Sequence, residues 1–360
     1  MKAAVFHAPN QPLTIEDVQI ENPGPREVLI RTAVAGLCHS DLHFMEGKWP
    51  WPAPAVLGHE SSGIVEKVGR DVTYVKPGDH VITCLSVFCG HCEYCITGRM
   101  SLCSNTDVKM LPGAAKRLSW KGQHLNQYLN LSSFAELMLV HEHALVKITP
   151  EMPMDLAALI GCGVMTGFGA IIHTAKVQPG STVAVVGCGG IGLAAVNGAA
   201  IAGAGRIIAI DKDPAKLELA KRFGATDGVV AGDDTAKRVM EMTAGGVHDS
   251  FECVGLKQTA ELCFQMLRPG GTATIVGMIP MGTKIELHGP DFLRERRMQG
   301  SSMGSNHFRI DMPRLIQFYQ QGRLHLDELI SGRLKLEQIN DGFEALKKGG
   351  VSRNVIVFEH

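Results

Sequence analysis

The apolar positions of the chain follow two different periods. Through about residue 160 they fall in short runs (MKAAVF, EVLIRTAVAG, SSGIVEKVG, HVITC) divided by proline and glycine turns such as NPGP and KPGD, without a sustained helical repeat. That pattern predicts a mainly β half. From about Val177 apolar runs alternate with helical ones: TVAVVG and a helix, RIIAID and a helix over PAKLELAKRFG, DGVV and a helix near DTAKRVMEMT, DSFECVG and a helix over QTAELCFQML, then TATIVG. Apolar strands alternating with helices predict a parallel, doubly wound α/β sheet. After about Gly304, helices over MPRLIQFYQQG and LEQINDGFEALKKG and a last strand, NVIVF, close the chain, and no internal repeat or low-complexity tract interrupts it.

The run Thr182–Gly205 carries no charge for 24 residues, the length of a membrane span. Seven glycines cut it into strand, turn and helix, so it is expected to be the core of a βαβ unit and not a span. A chain of 360 residues, 45% hydrophobic and 20% charged, has room for two globular domains. Lys plus Arg number 35 and Asp plus Glu 36, so no basic field draws nucleic acid or a membrane surface, and a small-molecule partner is expected. The opening MKAAVFHAPNQP lacks the apolar core of a secretion signal, and a cytoplasmic protein is expected.

Three constellations carry chemistry. Gly187, Gly189 and Gly192 form G-x-G-x-x-G, with Gly190 inside it, directly between a strand and a helix. The first glycine permits a tight turn, the second close approach of a pyrophosphate, the third helix–strand packing. Asp211 lies nineteen residues beyond Gly192, at the end of the next strand, where an acid hydrogen-bonds ribose hydroxyls and repels a 2′-phosphate. NAD is the expected cofactor. Cys89, Cys92, Cys95 and Cys103 are spaced C-x₂-C-x₂-C-x₇-C, which suits a closed structural zinc site; the iron–sulfur alternative is disfavoured because the run lacks the C-x₃-C-P ending of bacterial ferredoxins. A closed site leaves no position for substrate. Cys38, His59 and Cys162, from AGLCHSDLH, VLGHESSGIV and LIGCGVMTGFG, would make a Cys₂His set with one position open, although each taken singly is weak.

In this order, G-x-C-x-S-D-x-H, G-H-E-x-x-G, four-cysteine lobe, G-C-G-x-x-T-G and G-x-G-x-x-G, the motifs resemble the zinc-dependent medium-chain alcohol dehydrogenases over essentially the full length. The resemblance implies a GroES-like mainly β catalytic domain (1–163, completed by 304–360) carrying both zincs, with an inserted Rossmann domain (164–303). It implies Cys38, His59 and Cys162 as catalytic zinc ligands, Glu60 as a neighbour able to exchange onto the metal, Asp41 as the carboxylate orienting His59, and Ser40 and His43 as a proton relay. His39, Thr166 and Arg353 match cofactor-contacting positions. Trp49, Trp51, Leu85, Phe134 and Met278 match the pocket lining. Two zincs per chain, NAD, an alcohol or aldehyde substrate and a homodimer or homotetramer are therefore expected. The loop FMEGKWPWPAPAVL is apolar, with only Glu46 and Lys48 charged, so a primary alcohol with an aromatic, allylic or medium-chain group is expected over ethanol and over the hydroxymethyl adduct of glutathione. The alternatives are a glutathione-dependent formaldehyde dehydrogenase, whose branch carries acids in that loop; tryptophans that only pack the loop; a zinc-free quinone reductase; and, remotely, a non-enzymatic zinc-binding interaction module.

Overall fold

Six strands, Thr182–Val186, Arg206–Asp211, Asp227–Val230, Val247–Glu252, Leu267–Ile275 and Arg297–Gly300, form one sheet in the computed structural model, which describes residues 1–110, 117–349 and 352–359. Every neighbouring pair is parallel, and the order by sequence is 3-2-1-4-5-6. That order reverses beside Thr182–Val186, which opens a crevice at the strands' carboxyl ends. Helices Gly190–Ile201, Pro214–Arg222, Thr235–Met242 and Lys257–Gln265 connect them. The second starts where it does because Asp213 caps it, accepting from Ala215 N at 2.9 Å, with Pro214 in the first turn. Ala184, Val186, Ile208, Ile210, Val239 and Phe264 pack a buried core between sheet and helices.

The β-rich half contains a seven-stranded sheet built on Glu27–Gly36, which pairs antiparallel with Ser61–Val68, Leu137–His141 and the C-terminal Arg353–Val357. A further six-stranded sheet begins with Lys2–Phe6. Two compact units result: Met1–Cys162 with His307–Gln320 and Leu326–His360, and Gly163–Asn306 with Gln321–His325.

Three elements depart from the apolar pattern. A short helix, His39–Met45, stands inside the β half. The chain is also helical from Met154 to Ala175, with π-type turns at Ile160–Val164 and Ala170–Ala175. This stretch is long and apolar enough to cross a membrane, but 89% of its apolar window is buried, as in a core helix. The helix expected to start at Met312 starts at Phe308 and runs to Gln320 with Pro313 inside. Asp311 explains the earlier start: its carboxylate accepts from His307 N at 2.6 Å and holds the turn before the proline.

The third glycine of the G-x-G-x-x-G turn is the tightest point of the second unit, because a Cβ on Gly192 would lie 1.7 Å from the Gly187 carbonyl oxygen. Gly192→Ala is therefore expected to destabilise the protein by about 3 kcal/mol, as overpacking against backbone does. A denaturation midpoint equal to the parent's would contradict this.

Candidate active site

Cys38, His59 and Cys162 come from three separate segments, yet their ligand atoms all lie within 4.8 Å of one another, and all three side chains are buried. Cys162 Sγ is 3.3 Å from His59 Nε2. Cys38 precedes the helix His39–Met45, His59 follows the turn at Gly58, and Cys162 sits in the first π-type turn. Such turns recur at functional sites because they re-aim a side chain within a continuous helix. Gly161 lets that helix approach the sheet, where a Cβ would meet Thr83 O at 2.8 Å.

Asp41 ties two of these segments together. It is fully buried, its Oδ1 lies 2.9 Å from His59 Nδ1 and accepts from Gly58 N at 3.3 Å, and its Oδ2 accepts from Cys38 N at 3.3 Å. This leaves His59 Nε2 facing the cysteines. Burial raises the Asp41 pKa, with His59 opposing it. Burial also opposes charge on His59, but Asp41 and then Cys38 outweigh it and hold the imidazole well above its ordinary range. The thiol of Cys162 bonds to Cys38 and, with the charges of Arg353 and His59, holds Cys38 well below the usual thiol range despite burial. Two sulfurs around a carboxylate-backed imidazole suit a divalent cation, and zinc fits those donors.

The remaining candidates cluster around this set. Ser40 Oγ is 3.5 Å from Cys38 Sγ, and half-buried His43 lies three residues further along the helix, its Nδ1 without a partner among the described residues. Burial, then Lys48, lowers the His43 pKa below 6.5. Glu60 is fully buried, presses on Gly36, where a Cβ would lie 2.2 Å from its Oε1, and pairs with Arg353 at 3.4 Å. Burial disfavours the charge on Arg353, and Glu60 more than restores it. Arg353, expected at the cofactor, also donates to Leu37 O at 3.0 Å. His39 is exposed at the start of the short helix.

Trp49 and Trp51 surround Phe44, with ring centroids 6.4 and 5.9 Å away, and Trp51 lies 5.1 Å from Tyr128, whose ring is 5.9 Å from that of His59. Tyr128 escaped the sequence reading because it belongs to no motif. Its loop is strained: Leu129, Asn130 and Ser132 have φ of +47°, +68° and +62°, a conformation costing on the order of 1–3 kcal/mol each that persists only where the surroundings enforce it. Asn130 supplies part of that enforcement, donating to Leu85 O at 3.2 Å and accepting from Met110 N at 2.9 Å. Phe134, expected in the pocket, is fully buried and packs 5.8 Å from Phe343. Leu85 packs against the β-unit core, and Met278 lies in the second unit with its carbonyl against Gly255.

The ligand atoms of Cys89, Cys92, Cys95 and Cys103 also all lie within 4.8 Å of one another, with sulfur separations of 3.5 Å (Cys92–Cys95), 3.8 Å (Cys92–Cys103) and 3.9 Å (Cys89–Cys95). Zinc–sulfur bonds of about 2.3 Å in a tetrahedron place sulfurs about 3.8 Å apart. Backbone N–H groups of His91 and Cys92 donate to Cys89 Sγ, and that of Cys89 to Cys103 Sγ. The lobe fits a closed zinc site.

In the second unit Gly187 has φ +92° and opens the turn, and the helix Gly190–Ile201 follows Gly189. A Cβ on Gly189 would meet nothing within 4 Å, so its glycine answers to no neighbour in the fold and leaves room for a ligand at the helix N-terminus. Asp211 accepts from Cys188 N at 2.7 Å and from Asp213 N at 3.0 Å, joining the glycine turn to the next strand end. Thr166 is buried, with Met303 Sδ 3.5 Å from its hydroxyl.

A doubly wound unit with a dinucleotide turn, joined in one chain to a β unit with an open Cys₂His set and a closed Cys₄ set, defines a zinc-dependent oxidoreductase. Residues 24–150 match the family "Alcohol dehydrogenase GroES-like domain" and residues 190–321 "Zinc-binding dehydrogenase". The S-(hydroxymethyl)glutathione dehydrogenase of Haemophilus influenzae is 40% identical over 99% of this chain and 96% of its own. The solved benzyl alcohol dehydrogenase of Acinetobacter calcoaceticus is 33% identical, with 99% of both chains covered and a TM-score of 0.93. A zinc-binding dehydrogenase of Sinorhizobium meliloti, solved bound to NADP, is 29% identical over 99% of both chains with a TM-score of 0.82. The chain belongs to the zinc-dependent medium-chain alcohol dehydrogenase family, and its cofactors are zinc and a nicotinamide dinucleotide.

Metal analysis is expected to return about two zincs per chain, one for each kind of site. Cys38→Ser should lose one zinc and all turnover yet stay folded and bind NAD. Cys95→Ser should lose the other and melt earlier, because a closed site couples metal binding to folding. Identical behaviour of the two variants would contradict this division.

Proposed function

We propose that the chain oxidises a primary alcohol to its aldehyde, reversibly, with hydride passing between the carbinol carbon and NAD. The observation that carries the reading is the three-ligand set Cys38, His59 and Cys162, buried and one ligand short of a tetrahedron, beside a serine and a histidine on one helix. Zinc held there supplies Lewis acidity toward the alcohol oxygen. Asp41 fixes the His59 ring by holding Nδ1. Ser40 Oγ takes the alcohol proton, and His43, kept neutral by its lowered pKa, is the base that receives it. NAD is favoured over NADP because the Asp211 carboxylate would repel a 2′-phosphate.

The geometry favours an alcohol with an apolar or aromatic body. Phe44, Trp49, Trp51 and Tyr128 form a continuous aromatic cluster up to His59. Glu46, the one acid between His43 and His59, is held by Lys48 at 2.6 Å and Lys347 at 3.4 Å. A second reading, the hydroxymethyl adduct of glutathione, has the stronger support among the relatives, since those about 40% identical over nearly their whole length carry that name. The benzyl alcohol dehydrogenase neighbour supports the first.

A substrate panel followed at 340 nm separates the two. On the first reading kcat/KM should rise several-fold per carbon from ethanol to hexanol, as each buried methylene contributes at most about 0.8 kcal/mol. Formaldehyde oxidation that depends on glutathione, with a flat alcohol series, would establish the second instead.

His43→Gln should slow alcohol oxidation by about a hundredfold, the lower end of general-base effects. The deficit should widen as pH falls from about 9, because the neutral imidazole persists below pH 6.5 while solvent base disappears. It should narrow only below the lowered pKa, where the parent's base is itself protonated. A deficit independent of pH would remove His43 from the relay.

A further inference from the structure

In the aromatic cluster that reaches His59 through Tyr128, three buried polar atoms have no hydrogen-bond partner among the described residues: Tyr128 Oη, Trp49 Nε1 and Trp51 Nε1. Tyr128 is fully buried as a residue. All three belong to the one aromatic cluster, in which Tyr128 meets Phe44 at 5.0 Å and 78° and Trp51 at 5.1 Å and 80°, while Trp51 meets Phe44 at 5.9 Å and 87°. Buried donors without partners are uncommon, because each loses its hydration and gains nothing in exchange. An indole N–H only donates, and a phenol donates readily. What complements the cluster is therefore flat, apolar in its body, and furnished with acceptor oxygens.

We propose that the preferred substrate is an aromatic primary alcohol whose ring carries a hydroxyl or methoxy oxygen, and that Tyr128, with Trp51 and Trp49, recognises that oxygen. The inference rests on the alcohol reading of the proposed function and deepens it. A plain hydrocarbon alcohol fills the aromatic walls but leaves the donors unpaired. The glutathione adduct brings acceptors, but with an ammonium and two carboxylates that need charged partners, and the loop's own acid is held by Lys48 and Lys347. The backbone beside Tyr128 points the same way. Its N–H donates to Ser132 Oγ at 2.8 Å, and three of the four residues after it hold positive φ without being glycine. Strain of this kind is retained where a side chain must be presented in one place.

The test compares benzyl alcohol, 3-methoxybenzyl alcohol and 4-hydroxy-3-methoxybenzyl alcohol, with NAD, in the parent and in Tyr128→Phe, which keeps the ring and deletes the donor. The parent should favour the oxygenated alcohols by about tenfold in kcat/KM, and the variant should bring the ratio to near one by losing far more on the oxygenated alcohols than on benzyl alcohol, as loss of a matched polar contact does. Quenching of tryptophan fluorescence gives binding independently, since two of the three tryptophans, Trp49 and Trp51, stand in the cluster. Should Tyr128→Phe fail to fold, Trp51→Phe deletes a second donor and must lower the same ratio. Benzyl alcohol oxidised as well as its oxygenated relatives, or a ratio unchanged in both variants, overturns the inference alone. Turnover confined to formaldehyde with glutathione overturns the alcohol reading and the inference with it.

Discussion

The catalytic half of the structure depends on a buried carboxylate. Asp41 has no exposed surface, and an isolated charge in that position costs several kcal/mol. Its oxygens offset that cost with three contacts, to His59 Nδ1, Gly58 N and Cys38 N, reaching two of the three segments that carry the candidate metal ligands. The side chain is therefore both the cap of a short helix and the orienting partner of the histidine. Its length matters as well, because a carboxylate three residues into a helix reaches back to the residue before the helix. Gly58 at φ +93° lets the turn pass close to Phe134, where a Cβ would lie 2.7 Å from the backbone N.

A layer of close contacts supports this arrangement. Glu60 fits only because Gly36 has no side chain, and Arg353 neutralises it from the last strand. Leu85 and Met110 hold Asn130, which steadies the strained turn behind Tyr128. The aromatic cluster thus meets the metal-ligand set through Tyr128, while the proposed relay meets it through Ser40. One helix, His39–Met45, carries both Ser40 and Phe44 and keeps the two surfaces in register.

Much of this was legible in the sequence for specific reasons. Parallel strands buried on both faces leave continuous apolar runs such as TVAVV and RIIAI, and a phosphate-binding turn leaves glycines at fixed offsets. Arg297–Gly300 was not legible, because an edge strand reading RMQG has neither alternation nor an apolar run. The helix through Cys162 was obscured because Gly161 and Gly163 flank the cysteine, and glycines ordinarily argue against a helix interior. Phe134 and Tyr128 lie six residues apart in one loop, both fully buried, and only packing shows that one ring meets Phe343 and the other His59. The relatives' names, for their part, favour the glutathione adduct over the apolar alcohol that the loop sequence suggested.

The position of Arg353–Val357 bears on how the protein is made. This strand lies between Glu27–Gly36 and Ile330–Leu334, not at an edge, so residues 34–36 and Ile330–Leu334 stay unjoined until it has been made. The second unit, by contrast, has all but five of its residues by Asn306 and can order while the chain is still growing. The β unit waits for a partner more than 300 residues downstream of its central strand, a separation that slows closure. Arg353 arrives on that final strand and meets Glu60 there. A chain lacking Arg353–Val357 would have a finished nucleotide unit and an unfinished β unit, with residues 34–36 left unpaired on the side that Leu137–His141 does not cover.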